Sequence, residues 1–180
     1  TTSISNLVTS DGGDGISLRE AILATNATGN VGGPDHIYFN IVGAGPHVIN
    51  LSAALPSIAQ AVIIDASSEP DFGGAPMVVL NGGGTVQDGI RLYAGSGGST
   101  IRGLVVQTFT RHGIDIDGSN GNTIAGNYLG TNAAGTAAED AQLRLARVLP
   151  RDEVLGAGDE VLPRVRLRRL EAGLVPVLAV

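Results

Sequence analysis

A short internal repeat is the feature of this 180-residue sequence that most restricts its fold. The segment Gly89–Ala94 aligns with Gly113–Gly118, and Ser99–Leu104 aligns with Asn122–Asn127 at nearly the same offset. A short period of this kind, with alternating apolar residues between Gly, Asn and Ser corners, is typical of stacked solenoids. We therefore predict an all-β parallel β-helix, in which residues 28–138 form roughly four to five coils.

Short strands rich in β-branched residues and ended by turn residues are predicted along this region. Because side chains alternate along a strand, the apolar repeat positions should point inward and the intervening ones outward. Equivalent strands of successive coils should pair in parallel. The predicted strands are His36–Ile41, His47–Leu51, Ala61–Asp65, Met77–Asn81, Gly89–Tyr93, Thr100–Gln107, Gly113–Asp117 and Asn122–Leu129. The inward set is Ile90, Leu92, Ile114 and Ile116, and the outward set is Arg91, Tyr93, Asp115 and Asp117.

One helix is predicted before the strands, from Leu18 to about Ala27. Ser17 is a suitable N-cap, and Glu20 three residues later completes a capping box, in which each side chain accepts a hydrogen bond from the other residue's backbone N–H. An open solenoid end exposes unpaired strand edges and apolar core. We therefore expect residues 1–27 to form an acidic lead-in followed by a helix that caps the first coil.

The segment Ile16–Ile22 (ISLREAI), preceded by an Asp- and Gly-rich stretch, resembles the CSLREAI motif that opens many bacterial surface-exposed proteins with parallel β-helix repeats. Leu55–Ile58, Val62–Asp65 and Asn122–Thr131 are also similar to that family, and the resemblance covers residues 5–138. It implies a right-handed, pectate-lyase-like parallel β-helix at an extracellular or bacterial cell-surface location. Ile16 replaces the cysteine of the motif, so any role of that thiol is absent here.

Composition excludes several function classes. The chain has no cysteine, which excludes disulfides and cysteine zinc sites, and all 11 of its basic residues are arginine, which excludes a Walker phosphate-binding loop. A net charge of −6 argues against general nucleic-acid binding, which needs an excess of cations. No apolar run approaches the roughly 20 residues that span a bilayer. We therefore expect no nucleic-acid partner and no membrane span.

The composition changes abruptly near Ala138. Residues 1–138 hold 24 of the 27 glycines, whereas residues 139–180 contain no Asn, Ser or Thr. Three interpretations of this tail stay open: a genuine C-terminal cap, an interaction segment, or a stretch translated in a shifted reading frame. Residues 131–138 have no capping sequence of their own. We therefore expect this chain to be a fragment whose natural array continues with further β-helix coils.

Asp115 and Asp117 are the leading candidates for chemistry. They lie two residues apart on one strand face, with Arg111 and His112 just before them. Paired carboxylates are what glycoside hydrolysis requires, one protonated and one ionised, and carboxylate oxygens are also calcium ligands. The competing interpretation is structural, because Arg91 occupies the position of Asp115 one coil earlier and would pair with it across the ladder. No third carboxylate is expected at the matching position one coil earlier.

Calcium is the one cofactor that the sequence suggests, and Asp11 and Asp14 are a second candidate site for it. The surrounding run of Asp and Gly offers carboxylate and carbonyl oxygens but lacks the ligand spacing of an EF-hand loop, which favours a flexible acidic lead-in. The dispersed histidines lack the spacing of a zinc helix. Without a metal role, they are expected at corners or on the surface: His36, His47 and His112.

The expected function is structural or adhesive. An extracellular β-helix module has long faces that can lie along a polysaccharide or a cell-surface glycan, because each coil adds an equivalent strip to a continuous surface. The alternative is a polysaccharide lyase or glycoside hydrolase, since the resembled architecture hosts both, and fold alone does not decide the matter. A third class, a protein-binding module that works through an exposed coil edge, would self-associate as its concentration rises.

Overall fold

In a computed structural model, residues 3–9, 15–138 and 177–179 are described. They form a parallel β-solenoid of about four turns, preceded by two short helices. The predicted solenoid fold is confirmed. The helices are α1 (Ile4–Thr9) and α2 (Leu18–Ala27), and a 3-10 turn spans Ala66–Ser68. The strands are β1 (Asp35–Tyr38), β2 (His47–Asn50), β3 (Val62–Asp65), β4 (Val78–Asn81), β5 (Asp88–Leu92), β6 (Thr100–Arg102), β7 (Leu104–Gln107), β8 (His112–Ile116), β9 (Thr123–Ala125), β10 (Tyr128–Leu129) and β11 (Val177–Ala179).

Three parallel sheets run along the solenoid. The first has the order β1-β3-β6-β9, the second β2-β4-β7-β10, and the third pairs β5 with β8. A bridge between Ile58 and Leu92 adds one position to the third sheet, and β11 pairs antiparallel with β9. The first coil thus contains β1 and β2, the second β3 to β5, the third β6 to β8, and the fourth β9 and β10.

The two repeat alignments found in the sequence are the strand registers. Ile90 on β5 pairs with Ile114 on β8, and Ile101 on β6 pairs with Ile124 on β9. Earlier coils are longer, because Ile101 pairs in the other direction with Ile64, which is much farther away along the chain. The extra residues lie in the corners, and they hide the repeat in the first half of the chain.

A column of isoleucines runs through the first sheet. Ile37, Ile64, Ile101 and Ile124 are register partners in four successive coils, and all four are buried. The four predicted inward residues of the third sheet are buried as well. Because β-branched side chains have few rotamers, identical residues stack in the same way from coil to coil.

Two of the predicted strands are in fact divided between two sheets. Gly103 and Gly126 have φ values of 75° and 62°, and they turn the chain between β6 and β7 and between β9 and β10. A Cβ at Gly103 would lie 2.6 Å from the backbone nitrogen of Ser67 in the preceding coil. The prediction of unbroken strands was wrong because it treated these corner glycines as interior strand positions.

Helix α2 occupies the predicted range and closes the first coil. The predicted capping box between Ser17 and Glu20 is present. Ile22 is buried in the core cluster, and Arg19 donates hydrogen bonds of 2.8 Å to the carbonyls of residues 53 and 54. Helix α1 was not predicted, since no acidic residue in its first turn signals it.

Several sequence-based interpretations fall outside the described residues. They are the Asp11 and Asp14 site and, apart from the backbone of β11, the tail of residues 139–180. Within the described ranges, neither helix has the length and apolar character needed to cross a membrane.

A cavity in the isoleucine column should greatly lower the free energy of unfolding. Ile101→Ala should lower the free energy of unfolding by about 2–5 kcal/mol, because Ile101 is fully buried between two coils. Val48, which is 51% exposed, provides the control. Val48→Ala should lower the free energy of unfolding by less than about 0.5 kcal/mol. Urea denaturation measures both, and equal effects would contradict the proposed packing.

The capping role of α2 can be tested by deleting it. Deletion of residues 1–27 should expose the apolar end of the first coil and promote aggregation, because the buried surface of Ile22 and the Arg19 hydrogen bonds are lost together. Light scattering at several concentrations measures this. A truncated protein that stayed monomeric and as stable as the full chain would show that α2 is not a cap.

Candidate functional site

The predicted site residues lie on the outer surface of the third sheet. Parallel pairing of β5 and β8 places Asp88 opposite His112 and Arg91 opposite Asp115. Arg111 precedes β8 directly, and Asp117 follows it. We call this group the ladder site: Asp88, Arg91, Arg111, His112, Asp115 and Asp117.

Arg91 joins the two predicted carboxylates. Its Nε lies 3.1 Å from Asp115 Oδ2 and its Nη2 lies 2.6 Å from Asp117 Oδ2. The predicted cross-coil pair of Arg91 and Asp115 is therefore present. It is not the exposed pair that was expected, because neighbouring side chains cover Asp115 and leave only 5% of its side chain exposed. Tyr93 lies beside the pair, with the Arg91 guanidinium 5.5 Å from its ring centroid.

Arg111 and His112 converge on Asp88. Both oxygens of Asp88 accept hydrogen bonds from Arg111, one of them at 2.9 Å from Nε. Nδ1 of His112 lies 3.0 Å from Asp88 Oδ1 and 3.8 Å from Asp115 Oδ1. The bidentate geometry is the strong form of an arginine–carboxylate contact.

The electrostatics at Asp88 follow from these contacts. Burial alone would raise the pKa of Asp88, but the hydrogen bond and the charge of Arg111, together with the smaller effect of His112, hold it below its usual value. The same hydrogen bond raises the pKa of Arg111. The pair is thus held in its ionised form.

The ladder site is arranged for cross-coil cohesion. A hydrolase needs free space between its two carboxyl groups for the scissile bond. Here the guanidinium of Arg91 occupies the space between Asp115 and Asp117 and contacts both. A calcium ion on these two carboxylates would have to displace the same arginine, since the ion and the guanidinium seek the same oxygens.

A second pair of the same kind lies on the first sheet. Asp65 and Arg102 are register partners on β3 and β6, with Oδ2 and Nη2 2.5 Å apart. Burial opposes ionisation of Asp65, but hydrogen bonds from Arg102 and Ser67 outweigh it and lower its pKa. Arginine–aspartate pairs therefore link the second and third coils on two different sheets.

Sequence reasoning missed several members of these clusters. Asp88 is a third carboxylate of the ladder site, and the repeat alignment would have placed it opposite His112 had it begun one residue earlier. His47 was expected at a corner or on the surface, and it is in fact buried beside Glu69 and Asp71. No sequence signal revealed that contact, because the sequence does not show how the first coil aligns with the second.

A groove of about 410 Å³ opens away from the ladder site, between the two helices and β1. Its lining includes the apolar side chains of Leu7, Ile16 and Phe39, together with the exposed Tyr38. The described residues that line it include no carboxylate. Its described lining therefore lacks the pair of carboxylates that glycoside hydrolysis uses.

Comparison with known proteins adds no functional assignment. No protein-family model, curated protein or solved structure matches the chain.

The lowered pKa of Asp88 predicts a dependence of stability on pH. A carboxylate with a lower pKa in the folded chain stabilises the fold above its unfolded pKa, near 3.8, and this contribution is lost as pH falls through the folded value. Asp88→Asn should therefore lower the free energy of unfolding by about 1–2 kcal/mol at pH 7. The loss should become smaller as the pH falls below about 4. Urea unfolding of both proteins between pH 3 and 7 measures the difference. A difference that stayed constant with pH would contradict the ion-pair assignment.

Proposed function

We propose that the chain is a non-catalytic structural module of an extracellular or cell-surface protein, and that it serves adhesion through contacts with glycans. The observation that carries the proposal is the engagement of each ladder-site carboxylate by an arginine of a neighbouring coil. Such carboxylates strengthen the contact between coils and are not free for acid–base catalysis. The resemblance to CSLREAI-motif surface proteins supports the proposed location.

The stacked coils suit such a role because their strands form continuous faces. Four coils contribute register-matched strands to the first two sheets. A polymer with its own repeat can follow such a face and make equivalent contacts on successive coils. Affinity would then come from many weak contacts and not from one deep pocket.

We propose that glycan contact centres on Tyr93. Tyr93 is 47% exposed, and the guanidinium of Arg91 lies over one face of its ring. An exposed aromatic ring can stack on the apolar face of a sugar, and the neighbouring Asp117, whose side chain is 48% exposed, can accept hydrogen bonds from sugar hydroxyls. The lyase or hydrolase alternative has no comparable support, because Arg91 occupies the space between its two candidate acids.

A panel of acidic and neutral polysaccharides, each tested with and without calcium, separates the alternatives. We expect retention of the protein on at least one polymer, no release of new sugar ends, and no requirement for calcium. Tyr93→Ala should weaken retention roughly two- to tenfold, as expected for the loss of one aromatic contact. Tyr38→Ala, at a tyrosine that is 63% exposed on β1, is the matched control and should leave retention unchanged.

Cleavage would overturn the proposal. If new sugar ends appeared and were lost on Asp115→Asn or Asp117→Asn, the chain would be an enzyme and the ladder site its active site. If no polymer retained the protein, and self-association grew with its concentration, a protein-binding module working through a coil edge would replace the adhesive one.

A further inference from the structure

A second cluster of histidine and carboxylates lies where the first coil meets the second. His47 is the first residue of β2, and Glu69 and Asp71 follow the 3-10 turn after β3. His47 Nε2 is 3.8 Å from Glu69 Oε1 and 3.5 Å from Asp71 Oδ1. We propose that these three side chains form a binding site for a divalent transition-metal ion, with zinc as the expected occupant.

Burial makes this cluster unusual. The side chains of His47 and Glu69 are only 6% and 1% exposed, whereas that of Asp71 is 40% exposed. His47 Nε2 is buried without a hydrogen-bond partner, although it points towards the two carboxylates. Buried charges in proteins are paired or coordinate metals, and buried polar atoms are normally satisfied. A cation among the three side chains would meet both requirements.

Backbone groups of the loop between β1 and β2 orient the two carboxylates. Both oxygens of Glu69 accept from the N–H of Ile41, at 3.2 and 3.1 Å. Asp71 Oδ2 accepts from the N–H of Gly45 at 3.0 Å. Each carboxylate keeps lone pairs for a metal while its orientation is fixed from outside, as is usual for metal ligands.

The donor set favours zinc over calcium, and the distances are compatible with zinc. Zinc binds imidazole nitrogen and carboxylate oxygen at about 2.0–2.2 Å, which places tetrahedral ligand atoms about 3.4 Å apart. The two distances from Nε2 are close to that value. Calcium prefers an all-oxygen shell of six to eight ligands, to which imidazole does not belong. Two carboxylates also match the charge of a divalent cation.

The ladder site provides a contrast within the same chain. Asp88, His112 and Asp115 also bring one histidine and two carboxylates together. There Arg111 and Arg91 already bind the carboxylates. The four arginines of the described residues make their contacts elsewhere than at Glu69 and Asp71. We therefore expect metal binding at the His47 cluster and not at the ladder site.

Metal binding to the full 180-residue chain tests the proposal. Equilibrium dialysis with zinc alone should give one ion per chain, and cobalt should give the visible absorption of a tetrahedral site. No cysteine in the chain competes for either metal. His47→Gln should weaken zinc binding by more than about 100-fold, since loss of an outer-shell contact alone costs about 10–100-fold. Zinc should also raise the melting temperature of the wild-type chain, because the three ligands are brought together only in the folded state.

Matched variants keep the test decisive. His112→Gln removes the histidine of the ladder site and should leave zinc affinity unchanged. Asp71→Asn replaces a partly exposed ligand by a side chain of the same size and should weaken zinc binding at least tenfold. This variant tests the proposal if His47→Gln does not fold. Absence of stoichiometric zinc binding by the wild-type chain, or an equal loss in His112→Gln, would overturn the proposal.

Discussion

Parallel pairing between successive coils determines which side chains meet in this protein. In such a ladder each residue stacks on its register partner in the next coil, so a tolerable sequence must place compatible side chains at equivalent positions. Inside the solenoid, compatibility means similar shape, as in the isoleucine column that contains Ile64 and Ile101. Outside it, compatibility means opposite charge, as for Arg91 against Asp115 and for Asp65 against Arg102. The apolar core and the ion pairs are two consequences of one geometric constraint.

At the corners, polar side chains make the contacts between successive coils. A turn leaves backbone groups that no strand partner can satisfy, and these groups are buried by the coil above or below. Asn127 meets this need at one corner, because its Oδ1 accepts from the N–H of Leu104 at 2.9 Å and its Nδ2 donates to the carbonyl of Ile101 at 2.8 Å. Asn122 similarly accepts from the N–H of Ser99. The glycine- and asparagine-rich composition is therefore part of the stacking mechanism and not only a turn signal.

The repeat in residues 89–127 made the fold predictable. Before residue 80 the repeat is lost, so strands could still be predicted there but their registers could not. The short later coils align by inspection, so the inward isoleucines and the pairing of Arg91 with Asp115 could be predicted from the sequence. The corners at Gly103 and Gly126 could not, because the alignment pairs the two glycines without showing whether they lie within a strand or at a corner. The site residues followed the same division, with the ladder site largely predicted and His47 missed.

The two histidine–carboxylate clusters show how coil length decides what such residues do. In the short coils, the strands that carry Asp88 and His112 stack directly, and arginines on or next to these strands neutralise the acids. In the longer early coils, Glu69 and Asp71 lie in a corner insertion and not on a strand, so register supplies no arginine opposite them. Their orientation comes from loop N–H groups, which fix the carboxylates without satisfying their charge. An insertion that breaks the repeat thus leaves two acids beside a buried imidazole, with none of the described arginines opposite them. That is the condition under which a metal ion, and not an arginine, becomes the natural partner.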